Sequence, residues 1–160
     1  MIKERFSEVA IVDLPPLRVA CFRAISRTPE DDAVKVLTQW AAEAGLVGRP
    51  RSFGFDVAVS PAQAEAGLRG YELWYVVPPA VWPSPPVTIR EFPGGHFAAM
   101  TVYDPFVDPF AHIPAGWMAL HEWVTAHGMA APGEMLCLEE LVERDGVSDL
   151  VLYHPVQEGV

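Results

Sequence analysis

The chain has 160 residues and a formal net charge of −10 at neutral pH, with 11 Lys and Arg against 21 Asp and Glu. This length can bury one hydrophobic core but is short for two independent domains. Because proteins bind a phosphate backbone mainly through Lys and Arg, the negative net charge argues against nucleic-acid binding and favours neutral or cationic partners. A simpler alternative is that the acidity only keeps the surface solvated.

The first half predicts an extended segment, a helix and two strands, over residues 9–23, 29–44, 51–59 and 71–77. Pro15 and Pro16 bend the extended segment. Thr28 is expected to cap the helix and Gly45 to end it in a left-handed conformation.

The second half predicts the same order, over residues 87–91, 96–103, 114–127, 134–143 and 149–155. Pro114 is expected to start the helix and Gly128 to end it. The sequence therefore predicts an α+β fold made of a duplicated strand-helix-strand-strand unit. Two helices should pack on one face of antiparallel sheets, with a ligand groove between the halves.

An L-x-x-W-x-x-x-x-G block supports the duplication, because it occurs twice, as Leu37, Trp40 and Gly45 and as Leu120, Trp123 and Gly128. We therefore expect a single domain over residues 1–160 with half-repeats at about 8–78 and 86–157. The Pro-rich segment 78–86 between them is expected to be a stiff connector, with docking on an aromatic peptide-binding groove as the alternative.

The repeat aligns Asp56 with Glu139 in an otherwise apolar strand. Because strand side chains alternate, Glu139 and Glu140 must point to opposite faces. The one on the less hydrated face needs a partner or a proton, so it is either a counter-ion for a cationic ligand or an acid/base of raised pKa. The alternative is that both carboxylates lie at a sheet edge in water.

The strand at residues 71–75 also contains an acidic residue that could be either a ligand-binding group or a structural one. Glu72 and Trp74 share one face, and Tyr71 lies on the other. An acidic group beside an indole suits a planar or cationic guest, but Trp74 could equally be core and Glu72 a cross-strand ion-pair partner. Tyr103 begins a loop with two more aromatic residues, which could be a lid or could merely cover the core.

Several other classes are excluded or disfavoured. His121 and Glu122 begin like a zinc-protease motif, but position 125 is Thr, and the two cysteines lack metal-ligand spacing. We expect no metal and no cofactor. No apolar run could span a membrane and the start of the chain lacks a signal-peptide core, so a cytoplasmic protein without membrane contact is expected.

Five short motifs, taken in order, resemble the GyrI-like small-molecule-binding domains. They are Y-E-x-W, F-P-G-G-x-F-A, I-P-x-x-W, C-L-E-E and L-Y-x-P-V, beginning at residues 71, 92, 113, 137 and 152. That family includes the effector-binding domains of multidrug-sensing regulators of the AraC and MerR types. The resemblance implies a ligand pocket with aromatic walls and an acidic residue in a late strand.

The family acid maps onto Glu139, with Glu140 as the alternative register, and the family aromatic residues map onto Trp74, Phe97 and Trp117. The resemblance implies binding of lipophilic, often cationic compounds, and for some stand-alone members hydrolysis of cyclopropane-bearing electrophiles. Phe97 stands where the family commonly has Tyr, which removes a hydroxyl and weakens the case for hydrolysis.

The leading hypothesis is a stand-alone protein that senses or sequesters a hydrophobic, aromatic or cationic small molecule. Its expected ligand-binding residues are Tyr71, Glu72, Trp74, Phe97, Tyr103, Trp117 and Glu139. The alternatives are a hydrolase with Glu139 or Glu140 as its acid/base, and a protein-interaction or gyrase-inhibitor-type module with an acidic surface. The oligomeric state stays open.

Overall fold

The computed structural model describes residues 5–131 and 136–157. These residues form eight antiparallel strands and three α-helices, so the α+β class is confirmed. In chain order the elements are β1 Ala10–Leu14, β2 Leu17–Ser26, α1 Pro29–Glu43, β3 Ser52–Val57, α2 Pro61–Glu65, β4 Arg69–Val76, β5 Thr88–Phe92, β6 Gly95–Val102, α3 Pro109–Ala126, β7 Leu138–Arg144 and β8 Val147–Pro155. Within the described ranges, none of the helices is both long and apolar enough to cross a membrane.

The chain divides into two compact units, and each contains a four-stranded section of sheet and one long helix. The N-terminal unit is residues 16–93, with strand order β3-β4-β2-β5 and helix α1. The C-terminal unit joins residues 5–15 to residues 94–157, with strand order β1-β6-β8-β7 and helix α3. Strand β1 pairs with β6, and β5 pairs with β2. The first strand of each repeat therefore lies in the unit that contains most of the other repeat. The assignment of one domain to residues 1–160 stays a prediction.

In each unit the long helix covers one face of the sheet. Helix α1 packs its apolar side on β2 and β4, and α3 packs on β6 and β8. Leu37 of α1 and Leu120 of α3 are fully buried at equivalent positions of the two repeats. Burial of this apolar stripe is what fixes each helix on its sheet, because isolated helices of this length are marginal in water.

Both long helices end in the same hydrogen-bonded motif. Gly45 has φ +77° and Gly128 has φ +64°, a conformation that glycine adopts without steric cost. The Gly45 N–H donates to the Ala42 carbonyl at 3.2 Å, and the residue after it donates to the Ala41 carbonyl at 3.0 Å. The equivalent bonds after α3 measure 3.0 and 3.1 Å. The predicted helix ends are therefore confirmed in detail.

Three local predictions need correction. The first extended segment is two strands, because Pro15 and Pro16 separate β1 from β2. Helix α3 begins at Pro109 instead of Pro114; a proline fits the first helical position, and one a turn later removes only one backbone hydrogen bond. Thr28 precedes α1, but its hydroxyl bonds to Asp32 at 3.3 Å and makes no cap bond.

The Pro-rich segment 78–86 packs on the N-terminal unit. Its Ser84 hydroxyl accepts a hydrogen bond from the Trp40 indole at 3.0 Å, and its Val81 carbonyl accepts one from Arg18 at 3.0 Å. Val81 also contacts the core under α1. These contacts support the connector interpretation over a free docking segment.

Gly54 of β3 gives a test of packing in the N-terminal unit. A Cβ atom at this position would lie 1.8 Å from the Tyr71 hydroxyl oxygen, so the buried Tyr71 ring must move. We expect Gly54→Ala to lower the free energy of unfolding by about 1–3 kcal/mol, as overpacking does elsewhere. Urea denaturation followed by circular dichroism measures this, and Ser52→Ala in the same strand, expected to change stability by less than about 0.5 kcal/mol, is the control. Equal stability of the wild type and Gly54→Ala would contradict the expectation.

Candidate functional site

The polar and aromatic residues that could bind a ligand concentrate on one side of each sheet. We call the side of a sheet opposite its long helix the far face. In the N-terminal unit the register places Glu72, Trp74 and Phe55 on the far face, together with Arg23 of β2 and Arg90 of β5. The side facing α1 carries core residues instead.

Glu72 is held by an ion-pair network on this face. It is 3% exposed, and Arg23, directly opposite on β2, donates from Nε to its Oε1 at 3.0 Å. Its other oxygen accepts from the Trp74 indole at 2.6 Å and from Arg90. The carboxylate is therefore compensated by two guanidiniums, as a buried charge requires. The cross-strand ion pair, one of the two alternatives for Glu72, is the arrangement found.

Trp74 lies in the middle of an aromatic cluster. The ring centroids of Phe55 and Phe92 are 5.3 and 5.4 Å from that of Trp74, and the Arg90 guanidinium carbon is 5.9 Å away. Trp74 is itself buried. Edge-to-face contacts and a nearby cation stabilise such a cluster beyond simple burial, so the indole is fixed where its N–H meets Glu72.

Cys21 lies next to this network, opposite Trp74 on β2. Burial raises the pKa of the Cys21 thiol, and the neighbouring Arg90 guanidinium opposes that rise without cancelling it. Burial likewise raises the pKa of the Cys137 thiol. Both thiols are therefore protonated at neutral pH, and neither is an activated nucleophile.

The far face of the C-terminal unit carries a second buried carboxylate. Glu140 of β7 is 6% exposed, and the Tyr153 hydroxyl of β8 donates to its Oε1 at 2.6 Å. The Phe97 ring of β6 lies edge-on to Tyr153, with centroids 6.0 Å apart. Strand alternation puts all three side chains on the same side of the sheet, away from α3.

The other site residues expected from the sequence lie elsewhere. Tyr71 belongs to the core under α1, and Trp117 of α3 is half-buried against the core on the opposite side of its sheet from Glu140. Glu139 is half-buried and shares that side, because its partner Leu152 belongs to the same core. Tyr103 follows β6, where the Arg144 guanidinium carbon lies 5.6 Å from its ring centroid. The structure thus brings Glu72 together with Trp74 in one unit and leaves Phe97 in the other.

Three functional candidates were missed by the sequence reasoning. Arg23 and Arg90 hold Glu72, and Tyr153 holds Glu140. A charged residue inside an apolar strand was the available signal for Arg23, but the partner it meets depends on strand pairing. Across residues 5–131 and 136–157, the His, Cys, Asp and Glu side chains form no group of three that could hold a metal ion.

Comparisons with known proteins give the fold its context. Among solved structures, EcmrR in its complex with DNA superposes with a TM-score of 0.72 at 11% identity, over 97% of this chain. The chain spans 59% of the length of EcmrR. A hydrolase from Listeria innocua superposes with a TM-score of 0.61 at 12% identity, over 94% of this chain and 92% of its own.

A third solved structure, SAV2435 bound to tetraphenylphosphonium, superposes with a TM-score of 0.54 at 9% identity, covering 94% of each chain. No curated protein matches the sequence significantly. Identities this low establish the fold alone. The family model of the GyrI-like small molecule binding domain, however, matches residues 7–151, which is most of the chain. The chain therefore belongs to the GyrI-like small-molecule-binding domain family.

Proposed function

We propose that this protein binds a hydrophobic, aromatic and cationic small molecule as a sensor or sequestering protein. In this proposal the Glu140 carboxylate interacts with the positive charge of the ligand. The observation that carries the proposal is the buried Glu140 carboxylate beside Tyr153 and Phe97. Aromatic rings attract cations through their faces, and a carboxylate of low exposure attracts an opposite charge more strongly than one in water.

The choice of Glu140 over Glu139 rests on the face that each occupies. Glu139 points to the side that α3 covers, and its cross-strand partner Leu152 belongs to the apolar core on that side. Glu140 points away from that helix and shares its face with aromatic side chains. The tetraphenylphosphonium bound by SAV2435, a protein of similar fold, is a lipophilic cation of the class proposed here.

The proposal is tested with two ions of nearly the same shape and opposite charge, tetraphenylphosphonium and tetraphenylborate. We expect the cation to bind more tightly, and Glu140→Gln to weaken its binding by about tenfold, the effect of losing one favourable charge interaction. Glu139→Gln is the matched control and should leave the affinity unchanged within about twofold. Isothermal titration calorimetry measures the affinities, and circular dichroism checks that each variant folds.

Two results would contradict this assignment. Equal affinity for the two ions would remove charge selection, and equal weakening by Glu139→Gln and Glu140→Gln would remove the distinction between the two faces. Absence of saturable binding of either ion would contradict the choice of a lipophilic cation as ligand.

A hydrolase is the second candidate, and the Tyr153 hydroxyl favours it. The loss of a hydroxyl at Phe97 weakened that hypothesis, but Tyr153 places a hydroxyl on the same face, 2.6 Å from Glu140. Such a pair could orient a water molecule or protonate a strained ring while Glu140 acts as the acid/base. Turnover of a cyclopropane-bearing electrophile that Glu140→Gln abolishes, with binding retained, would establish hydrolysis; binding without turnover would leave the protein a binder.

A further inference from the structure

The far face of the N-terminal unit contains an open depression that the proposed cation site does not use. Its volume is about 390 Å³, and its lining includes Cys21, Arg23, Glu72, Pro86, Thr88 and Arg90. The depression therefore lies over the Glu72 network and is bordered by the segment that connects the repeats. Its chemistry differs from that of Glu140, because two cations line it.

The charge of this depression is positive. Glu72 supplies one negative charge, and Arg23 and Arg90 supply two positive charges. Burial raises the pKa of the Cys21 thiol, so the neighbouring sulfur stays neutral and cancels neither arginine. The group of four side chains has a net charge of +1 on a protein whose formal net charge is −10.

Both arginines of the network stay accessible to solvent. Glu72 is buried, but the side chains of Arg23 and Arg90 are 51% and 52% exposed. Each guanidinium presents a planar fork of N–H donors, and the two oxygens of Glu72 use only part of it. The buried carboxylate thus fixes both guanidiniums at the rim of the depression, where about half of each arginine side chain stays exposed.

We propose that this depression binds a small organic oxyanion, a carboxylate or a phosphate monoester, between Arg23 and Arg90. Both groups accept two parallel N–H bonds from a guanidinium, the geometry that arginine recognises best. The Thr88 hydroxyl at the edge can donate a further bond. Because the protein as a whole is acidic, anions are repelled elsewhere, so specific binding should stand out from background.

The experiment titrates the protein with benzoate, phenyl phosphate and the neutral analogue benzamide. The reporter is the NMR signal of the Trp74 indole N–H, which donates to Glu72 at 2.6 Å. We expect saturable shifts with both anions and at least about tenfold weaker binding of benzamide, since a neutral amide forms no charge-assisted bonds with the forks. Tighter binding of phenyl phosphate would assign the site to phosphate monoesters, and tighter binding of benzoate to carboxylates.

Variants distinguish this site from nonspecific attraction. Arg23→Gln and Arg90→Gln should each lower the affinity for benzoate by about tenfold. Arg23→Lys keeps the charge but loses the planar fork of donors, so it should lower the affinity by less. Glu72→Gln should raise the affinity for benzoate by about threefold or more, because it removes the negative charge beside the ligand. Arg69→Gln is the control, since Arg69 pairs with Glu30 outside the depression and should leave the affinity unchanged.

The sign of the Glu72→Gln effect is the sharpest outcome. If Glu72 were an acid that selects cations, this substitution would lower the affinity for tetraphenylphosphonium and leave the affinity for benzoate unchanged. Equal binding of benzoate and benzamide, weaker benzoate binding in a folded Glu72→Gln variant, or an equal effect of Arg69→Gln would each overturn the proposal. The effect of Glu140→Gln on cation binding tests the proposed cation site and has no bearing on the oxyanion site.

Discussion

Replacing Trp40 with alanine is expected to lower the free energy of unfolding by about 3–5 kcal/mol, as truncation of a buried large aromatic residue does. Trp40 is 5% exposed and packs in the core between α1 and its sheet. Its indole N–H also donates to the Ser84 hydroxyl at 3.0 Å, so the substitution removes a polar contact as well as filled volume. Urea denaturation followed by far-ultraviolet circular dichroism measures the loss.

The duplication supplies the matched control. Trp123 occupies the equivalent position of the second repeat, but it is half-buried and its ring stacks on His127, with centroids 3.9 Å apart. Because less apolar surface leaves the core, Trp123→Ala is expected to cost about 1–2 kcal/mol. Losses of equal size would contradict the view that α1 depends more on its tryptophan than α3 does.

Removing both arginines from the Glu72 network is expected to lower the free energy of unfolding by about 3 kcal/mol. In the double variant Arg23→Ala and Arg90→Ala, the Glu72 carboxylate loses both of its guanidinium partners, and the Trp74 indole is its remaining partner within the network. Breaking a buried ion pair by removing one side typically costs about 3–5 kcal/mol. We take the lower end because both arginines are half exposed and water can enter the space they leave.

A third substitution separates lost charge pairing from lost packing. Adding Glu72→Gln to the double variant removes the buried charge and keeps the size of the side chain, so it should recover most of the lost stability. Urea denaturation of the two variants side by side checks this. A triple variant no more stable than the double variant would mean that the arginines contribute through their aliphatic stems instead.

The sequence predicted the elements whose signals are local. The L-x-x-W-x-x-x-x-G blocks located both long helices and both of their glycine ends, because apolar spacing and a left-handed terminator act within one turn of helix. The predicted start of α3 at Pro114 was wrong, because a proline fits the first helical position at 109 as well, and nothing in the local sequence shows that the helix continues through Pro114.

The candidate site was harder to predict because it depends on which strands pair. Strand alternation correctly placed Glu139 and Glu140 on opposite faces, but only the position of α3 tells which of those faces the helix covers. Likewise Arg23 meets Glu72, which lies 49 residues away in sequence, and Arg90 reaches it from a strand that belongs to the second repeat. No short-range pattern carries that information.

The pairing of β1 with β6 and of β5 with β2 also bears on the origin of the protein. A chain of half this length, ending before residue 86, would carry β1 without β6 and β2 without β5. Two such chains could complete both sheets only by each giving its first strand to the other, which is the arrangement of a domain-swapped dimer. The present chain has the strand pairing expected if the genes of two swapped partners were fused, the Pro-rich segment being the point of fusion.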